Sequence, residues 1–344
     1  MADLFNLSGL GVADDNSSLS TITAIYHNKK NIKSFEKKDE DILITTDASP
    51  FYPEGGGQIS DTGVMENKKT KIIILDVQKI NNVIIHTVRV VSGKLLVGDK
   101  LNSKIDDDKR KKITINHSST HLLNQALRDT LGEHVEQKGS LVTDKYLRFD
   151  FSHNKALSEN EIFKIESIIS FEINSNRATT QKIMPYKSAI KDGALAFFDE
   201  KYDDKVRVVN IGTKSMELCG GTHVNNTSEI RLFKIINESS VSAGIRRIEA
   251  ITADSAFQSY QSIFNETKEL SKILNTKSDD LQEKIISLKN NHTVNESQLV
   301  SLNKTLAGFM LKSLTPMINA SSNTSLFIED CPNITSGQIK ILSD

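Results

Sequence analysis

The stretch Asn116-His117-Ser118-Ser119-Thr120-His121-Leu122-Leu123 joins an apolar helical pattern to a pair of histidines. Apolar residues recur at helical spacing as far as Leu131, and Gly132 predicts the end of this helix. On a helix, His117 and His121 lie on one face with their Cβ atoms about 5–6 Å apart. The pair therefore suits two ligands of one metal ion, and its alternative interpretation is ordinary helix packing.

A second cluster, Cys219-Gly220-Gly221-Thr222-His223, lies further along the chain. Its glycines let the backbone approach closely, so the thiol and the imidazole can face one centre. Three histidines and one cysteine match Zn²⁺, which accepts both nitrogen and sulfur ligands. The sequence therefore predicts zinc bound by His117, His121, Cys219 and His223. The remaining histidines lack such neighbours and are interpreted as surface or packing residues: His27, His86, His134, His153 and His292.

The predicted ligand set leaves the role of the metal open. Four protein ligands are typical of a closed structural site, whereas a catalytic zinc keeps one position for water or substrate. A catalytic role requires one ligand that is loose or that the substrate displaces. A metalloprotease is disfavoured, because the histidine pair lacks the glutamate of a His-Glu-x-x-His motif.

The pattern changes on either side of the histidine pair. Short β-branched runs separated by glycine precede it, including Ile72–Val77 and Val83–Val88, and they predict a small β-barrel or sandwich. The charged run Asp106–Lys112 is interpreted as the boundary of this domain, with a solvated helix start as the alternative. The glycine-rich loop at Gly55–Gln58 and the polar segment Gln137–Ser140 are interpreted as binding loops or as plain turns.

Helices and strands mix after the histidine pair, which predicts an α+β fold class for that core. Ser158 and Glu161 form a capping-box pattern at the start of a second helix. Beyond it, leucines at heptad spacing predict an antiparallel helical hairpin or an irregular coiled coil, broken near Asn290-Asn291. A lone strand is predicted at Ser325–Asp330.

These patterns divide the 344-residue chain into five parts: a lead-in (1–20), a β-barrel subdomain (21–108), an α+β core (109–252), a helical hairpin or coiled coil (253–315) and a truncated start of a C-terminal domain (316–344). The formal net charge of -1 disfavours a strongly basic nucleic-acid-binding protein, so local basic patches would have to hold any polyanion. Two cysteines, with no long apolar run, predict a soluble, cytoplasmic protein without a membrane span.

Six motifs in register resemble the editing half of alanyl-tRNA synthetase, from about residue 21 to 252. They are FYPEGGGQISDTG from Phe51, NHSSTHLL from Asn116, QKGSLV from Gln137, LRFDFSH from Leu147, ELCGGTHV from Glu217 and GIRRIEA from Gly244. The same core is found in free-standing alanyl-tRNA editing proteins and, more distantly, in threonyl-tRNA synthetase. The resemblance implies an editing core of the threonyl/alanyl-tRNA synthetase second additional domain type, followed by a helical coiled-coil arm.

The resemblance also implies zinc-dependent hydrolysis of mischarged tRNA(Ala), chiefly Ser-tRNA(Ala) and also Gly-tRNA(Ala), as part of alanyl-tRNA synthetase or in trans. Thr120 or Gln58 is expected to bind the serine hydroxyl or the attacking water. The glycine loop reads Pro-Glu-Gly-Gly-Gly-Gln where many bacterial synthetases have Ala-Glu-Ser-Gly-Gly-Gln, which leaves the serine or glycine preference open. The pocket residues implied by the resemblance are Gln137, Gly55, Gly56 and Gly57.

Binding of tRNA would require basic side chains, because phosphate contacts supply much of the affinity. The expected contacts are Lys109, Arg110, Lys111, Lys112, Arg246 and Arg247, with Lys68, Lys69 and Lys71 on the barrel. No ATP-dependent aminoacylation domain is expected, so a separate aminoacylation subunit is a candidate partner beside tRNA(Ala) and a second copy of the chain. The alternative function is a non-catalytic tRNA-binding and dimerisation module with structural zinc. A threonyl-type editing domain is disfavoured by the long helical region.

Overall fold

The computed structural model describes residues 17–196 and 203–313. The chain divides into two compact units, residues 1–260 and 261–344, and the boundary falls inside the fourth helix. The predicted strand at Ser325–Asp330, the segment 316–344 and residues 1–16 of the lead-in lie outside the described residues. Within the described ranges, none of the helices has the length and hydropathy needed to cross a bilayer.

The first part of unit one is a β-barrel. Its strands are β1 (Ser17–His27), β2 (Lys30–Ile32), β3 (Ser34–Phe35), β4 (Asp41–Thr46), β5 (Gly63–Glu66), β6 (Lys71–Ile80), β7 (Val83–Ser92), β8 (Leu95–Leu96) and β9 (Lys100–Ile105). Six of them close into an antiparallel barrel in the order β1-β4-β7-β6-β5-β9, because β9 also pairs with β1. Of the barrel and the sandwich that the sequence allows, the structure has the barrel.

Alternating side chains fill the barrel, as expected for strands with one face inside. Ile42 of β4 pairs with Val88 of β7, and both are buried together with Ile44. His86 is also fully buried, and its Nε2 lies 2.8 Å from the Oγ of Ser49. Burial lowers the pKa of His86 to about 4, so this histidine is a neutral packing residue at pH 7.

The α+β core follows the barrel. It contains α1 (Asp107–Leu131), β10 (Gln137–Val142), β11 (Leu147–Ser152), α2 (Glu159–Asn174), β12 (Thr180–Pro185), α3 (Tyr186–Lys191), β13 (Lys205–Ile211), β14 (Ser215–Leu218), β15 (Phe233–Ser242) and β16 (Ile245–Thr252). Two antiparallel sheets form, in the orders β10-β11-β16-β15 and β12-β13-β14. Helices α1 and α2 share one apolar core with the four-stranded sheet, in which Leu123, Phe149 and Ile165 are fully buried.

Helix starts follow the capping rules. The side chain of Ser158 accepts the N–H of Glu161, which confirms the predicted capping box of α2. The charged run Asp106–Lys112, interpreted as a domain boundary or as a solvated helix start, forms the cap and first turns of α1 directly after the last barrel strand. Asp106 accepts the N–H of Lys109, and acidic residues in the first turn favour the positive end of the helix.

Two long helices end the described chain, α4 (Ala253–Ile273) and α5 (Leu281–Ser313), with a 3₁₀ turn at Ser278–Asp280 between them. The prediction of a break near Asn290-Asn291 is wrong, because α5 continues through both residues. Asparagine costs less than about 0.7 kcal/mol in a helix interior, which neighbouring helix formers outweigh. Helix α5 leaves many apolar side chains exposed, among them Ile285, Leu288, Leu299 and Leu302.

A buried ion pair joins the barrel to α1. The guanidinium of Arg110 donates to both carboxylate oxygens of Asp61, which also accepts the backbone N–H of Tyr52 at 2.7 Å. The side chains of Arg110 and Asp61 are 13% and 2% exposed, respectively. Because both charges are largely removed from water, loss of either partner would leave the other buried and unpaired.

Arg110→Met should therefore lower the free energy of unfolding by about 3–5 kcal/mol, because Asp61 would remain buried without its cation. Urea unfolding followed by circular dichroism measures the change. Lys111→Met is the matched control: it removes a charge from the exposed neighbouring position and should cost less than about 0.5 kcal/mol. Equal losses in the two variants would contradict a special role for the buried pair.

Candidate metal centre

The two sequence clusters that contain the predicted ligands meet in the folded chain. His117 and His121 lie one turn apart on the buried part of α1, while Cys219 and His223 lie in the segment after β14. The ring centroids of His117 and His121 are 5.3 Å apart, and those of His117 and His223 are 4.5 Å apart. One ligand atom from each of the four residues lies within 4.8 Å of all the others.

The spacing of these donor atoms fits a tetrahedral zinc ion. With Zn–N bonds of about 2.0–2.1 Å and a Zn–S bond of about 2.3 Å, neighbouring nitrogen and sulfur ligands would be about 3.5 Å apart. The Sγ of Cys219 lies 3.4 Å from the Nε2 of His117 and 3.3 Å from the Nε2 of His223. Both the donor types and their separation therefore suit Zn²⁺.

A hydrogen bond and an ion pair on the far side of two imidazoles fix their orientation. The Nδ1 of His117 donates to the Oε1 of Gln58 at 2.6 Å, and the Nδ1 of His121 lies 2.8 Å from the Oε2 of Glu217. An amide oxygen only accepts hydrogen bonds, so the Nδ1 of His117 carries a proton. The Nδ1 of His121 faces the Glu217 carboxylate as an ion pair, although its geometry is not that of a hydrogen bond. The nitrogen available to a metal is consequently Nε2 in both residues.

The third imidazole is supported by α1 itself. The Oγ of Ser118 lies 3.3 Å from the Nδ1 of His223 and accepts the backbone N–H of Val224 at 3.0 Å. The Oε1 of Glu217, which is 2% exposed, accepts a hydrogen bond from the Nδ2 of Asn124 at 2.9 Å, while its Oε2 forms the ion pair with His121. The buried carboxylate is thus paired on both oxygens, as a charge removed from water requires.

Close backbone contacts fix the turn that carries Cys219 and His223. A Cβ atom at Gly221 would overlap the imidazole of His117, so glycine is required there. The guanidinium of Arg207 donates to the carbonyl oxygens of Cys219 at 3.1 Å and Gly221 at 2.6 Å. The thiol and the imidazole therefore approach α1 from a turn that is held on both sides.

The clustered ligands change one another's protonation. Burial raises the pKa of the Cys219 thiol, but the imidazoles of His117, His223 and His121 outweigh it and lower the pKa well below its usual range. Burial lowers the pKa of His121, but the Glu217 carboxylate and the Cys219 thiolate raise it to about 10. Burial lowers the pKa of His223 to about 3. The metal-free centre at pH 7 thus pairs a thiolate with an imidazolium.

The glycine loop reaches the centre from the barrel side. Gly57 has a φ of +80°, and a Cβ atom there would overlap Ser140 of β10. The carbonyl oxygen of Gly57 accepts the N–H of Val142 at 2.7 Å, which joins the loop to β10. The exposed Gly56 and the half-buried Gly55 lie at the tip of this loop.

Gln137 opens β10, so the sequence interpretation of Gln137–Ser140 as a loop is wrong. Pairing with β11 accounts for the difference, because a polar strand has no alternating apolar pattern to signal it. The Nε2 of Gln137 donates to the Oγ of Ser140 at 3.2 Å. Gln137 also lines a cavity of about 470 Å³ together with Asn124, the residue that supports Glu217.

Thr120 and Gln58 occupy different places around the centre. The Oγ1 of Thr120 donates to the carbonyl oxygen of Asn116 at 2.9 Å, one turn back in α1. Gln58 is fully buried, and its amide oxygen is the acceptor for His117. Thr120 therefore retains acceptor capacity, while the oxygen of Gln58 is already engaged within the chain.

The basic residues expected to contact tRNA fall into two groups. Arg246 donates to Glu238 at 2.5 Å, Arg247 donates to both oxygens of Asp150 at 2.7 and 2.8 Å, and Arg110 holds Asp61. These three guanidiniums are engaged with carboxylates inside the chain. The second group lies on α1, where Lys109 is half-buried and Lys111 and Lys112 are exposed beside a cleft of about 440 Å³.

Sequence reasoning missed the residues that hold the ligands in place. Glu217 and Ser118 lie inside the motifs that contain the predicted ligands. A glutamate in a strand two residues before Cys219 is a signal that could have indicated Glu217. Arg207 and Asn124 gave no local signal. Their partners Cys219 and Glu217 are distant in sequence and come close only through the pairing of β13 with β14 and the packing of α1.

In the metal-free chain, Cys219 should be alkylated by iodoacetamide at a rate that changes little between pH 8.5 and 7. Its lowered pKa keeps the reactive thiolate populated, whereas an ordinary thiol of pKa about 8.5 loses roughly 15-fold of its thiolate over that interval. Mass spectrometry of the Cys331→Ser variant reports Cys219 alone, and added Zn²⁺ should slow the reaction. An ordinary 15-fold fall in rate would contradict the lowered pKa.

Two family profiles match the chain. Residues 10–109 match the profile described as tRNA synthetases class II (A), which spans the barrel. Residues 206–249 match the profile described as threonyl and alanyl tRNA synthetase second additional domain, and this segment contains Cys219 and His223. The two profiles thus lie on either side of the histidine pair of α1.

A curated relative extends the similarity. The alanine--tRNA ligase of Methylibium petroleiphilum is 47% identical over 245 residues, which are 71% of this chain and 28% of that protein. The chain therefore matches less than a third of the length of this relative. Taken with the two synthetase profiles, this identity makes the chain similar to part of an alanyl-tRNA synthetase.

Proposed function

We propose that the chain is an aminoacyl-tRNA deacylase that hydrolyses Ser-tRNA(Ala) and Gly-tRNA(Ala), as part of alanyl-tRNA synthetase or in trans. The observation that carries this proposal is the convergence of three imidazoles and one thiol. It is supported by the match of residues 206–249 to the threonyl and alanyl tRNA synthetase second additional domain. Such an activity meets a physical need. A synthetic site that accepts alanine excludes glycine or serine only weakly, so a second hydrolytic site is useful.

Zn²⁺ is the proposed cofactor, held by His117, His121, Cys219 and His223. When bound, it would polarise the ester carbonyl or lower the pKa of a water molecule. The chain's own contribution is orientation, because the Nδ1 contacts described above present the imidazoles toward one point. Four protein ligands are typical of a closed site, so hydrolysis here would require a substrate that binds beside the ion or displaces one ligand.

The amino acid would be recognised by polar groups near the centre. Thr120 has acceptor capacity left for the hydroxyl of a seryl group, since its proton goes to Asn116. Gln137 lines a cavity together with Asn124. Gly55–Gly57 lie outside that lining and would shape the substrate site from the barrel side. A site that pairs with a serine hydroxyl rejects alanine, because its polar groups would then remain unpaired.

The alternative proposal is a non-catalytic module that binds tRNA and dimerises, with structural zinc. Two observations favour it. The first is that four protein residues could bind the metal. The second is the set of exposed apolar residues of α5, of which Leu299 and Leu302 are 60% and 64% exposed. In a homodimer through a coiled coil, such residues would be buried against a second copy. Retention of tRNA binding without hydrolysis would favour this alternative.

Purified chain loaded with Zn²⁺ should release serine from Ser-tRNA(Ala) faster than it releases alanine from Ala-tRNA(Ala). The double variant Cys219→Ala/His223→Ala should contain no zinc by metal analysis and lose at least about 100-fold in rate, since two of four ligands are gone. Full activity in this variant would refute the metal assignment. Absence of hydrolysis by the zinc-loaded chain, with tRNA binding intact, would refute the deacylase proposal.

Lys111→Ala/Lys112→Ala should weaken tRNA binding uniformly across tRNA sequences. Each lysine that contacts a phosphate should contribute about one unit to the slope of log affinity against log salt, so the slope should fall by about two. Filter binding at several salt concentrations measures it. Lys29→Ala/Lys30→Ala, which removes two exposed lysines from the hairpin formed by β1 and β2, is the control and should leave the slope unchanged.

A further inference from the structure

Gln58 links the barrel to both halves of the ligand set. It is fully buried, and its backbone N–H and carbonyl exchange hydrogen bonds of 3.0 and 3.1 Å with Gly55. The next residue, Ile59, donates its N–H to the carbonyl oxygen of Val142 in β10 at 3.1 Å. The barrel loop and β10 thus fix the backbone of Gln58 independently of its side-chain contacts.

The amide oxygen of Gln58 accepts three hydrogen bonds. One comes from the Nδ1 of His117 at 2.6 Å; the other two come from the backbone N–H and the Oγ1 of Thr222, at 3.0 and 3.2 Å. His117 belongs to α1, and Thr222 belongs to the turn between Cys219 and His223. One oxygen atom therefore orients a ligand from α1 and anchors the turn that supplies two more.

The nitrogen of the same amide has no comparable role. Within the described residues, Nε2 of Gln58 is buried and has no hydrogen-bond partner. The assignment of the oxygen is fixed by the N–H of Thr222, which can only donate. The contribution of the Gln58 side chain at this site therefore comes from its oxygen, which accepts three hydrogen bonds, and not from its nitrogen.

We infer that Gln58 is a positioning residue through which the barrel sets the affinity of the metal centre. The inference rests on the proposed metal site and not on the hydrolysis of any substrate. Groups that hydrogen-bond metal-ligating histidines typically change metal affinity 10- to 100-fold when they are removed. Because linkage is reciprocal, bound metal should in turn strengthen the attachment of the glycine loop to the core.

The acceptor and the donor of Gln58 can be separated by substitution. Gln58→Met keeps the length of the side chain and removes the acceptor, so Zn²⁺ affinity should fall 10- to 100-fold. Gln58→Glu keeps an acceptor for His117 and Thr222 and removes the orphaned donor, so Zn²⁺ affinity should stay within threefold of the wild type or rise. Gln78→Met is the matched control, because that glutamine donates to Glu54 and Asp76 on the barrel.

The affinities are measured on the full metal-free chain by competition for Zn²⁺ with a chromophoric chelator. The visible spectrum of bound Co²⁺ reports the ligand geometry, which should be altered in Gln58→Met and preserved in Gln78→Met. Wild-type affinity in Gln58→Met, or equal losses in Gln58→Met and Gln58→Glu, would overturn the inference.

If Gln58→Met unfolds without metal, circular dichroism at buffered free Zn²⁺ replaces the competition. It should then need 10- to 100-fold more free Zn²⁺ to fold than Gln58→Glu, and an equal requirement would overturn the inference. A chain that fails to hydrolyse Ser-tRNA(Ala) but shows this difference refutes the deacylase proposal alone.

Discussion

The structure depends on the polar contacts on the far side of three imidazoles, which are two hydrogen bonds and one ion pair. Imidazole rings rotate about their side-chain bonds, so four ligands converge on one point only if something fixes each ring. Here the fixing groups come from the barrel loop (Gln58), from β14 (Glu217) and from α1 (Ser118). The barrel, the small sheet and the long helix must all be folded for the centre to form, which makes it a property of the whole first unit.

Ion pairs within the fold explain why the number of charged residues predicts so little about nucleic-acid binding. Several of the basic residues that the sequence offers to phosphate are used in ion pairs within the fold, at Asp61, Glu238 and Asp150. An arginine with a buried carboxylate partner contributes to packing and orientation rather than to the surface potential. The net charge therefore does not reveal that the exposed lysines and the ion-paired arginines have different roles.

The sequence is informative where a local rule decides the outcome. The barrel strands, the capping box at Ser158 and the convergence of His117 with Cys219 all follow from spacing, alternation or ligand chemistry. Errors arose where distant pairing or helix propensity decided instead, as in β10 and across Asn290-Asn291. Glu217 and Ser118 were missed, and Gln58 was given a different role, for a similar reason: polar contacts between residues far apart in the chain have no periodic signature.

The separation of the ligands along the chain imposes an order of events during synthesis. His117 and Cys219 are 102 positions apart, and every strand of the barrel precedes α1. At about 5–20 residues per second, a ribosome needs roughly 5–20 seconds to pass from one ligand to the other. The barrel strands, Gln58 and both histidines of α1 are thus synthesised before Cys219 and His223. A metal held by all four of the proposed ligands would consequently bind only after the barrel and α1 have been synthesised.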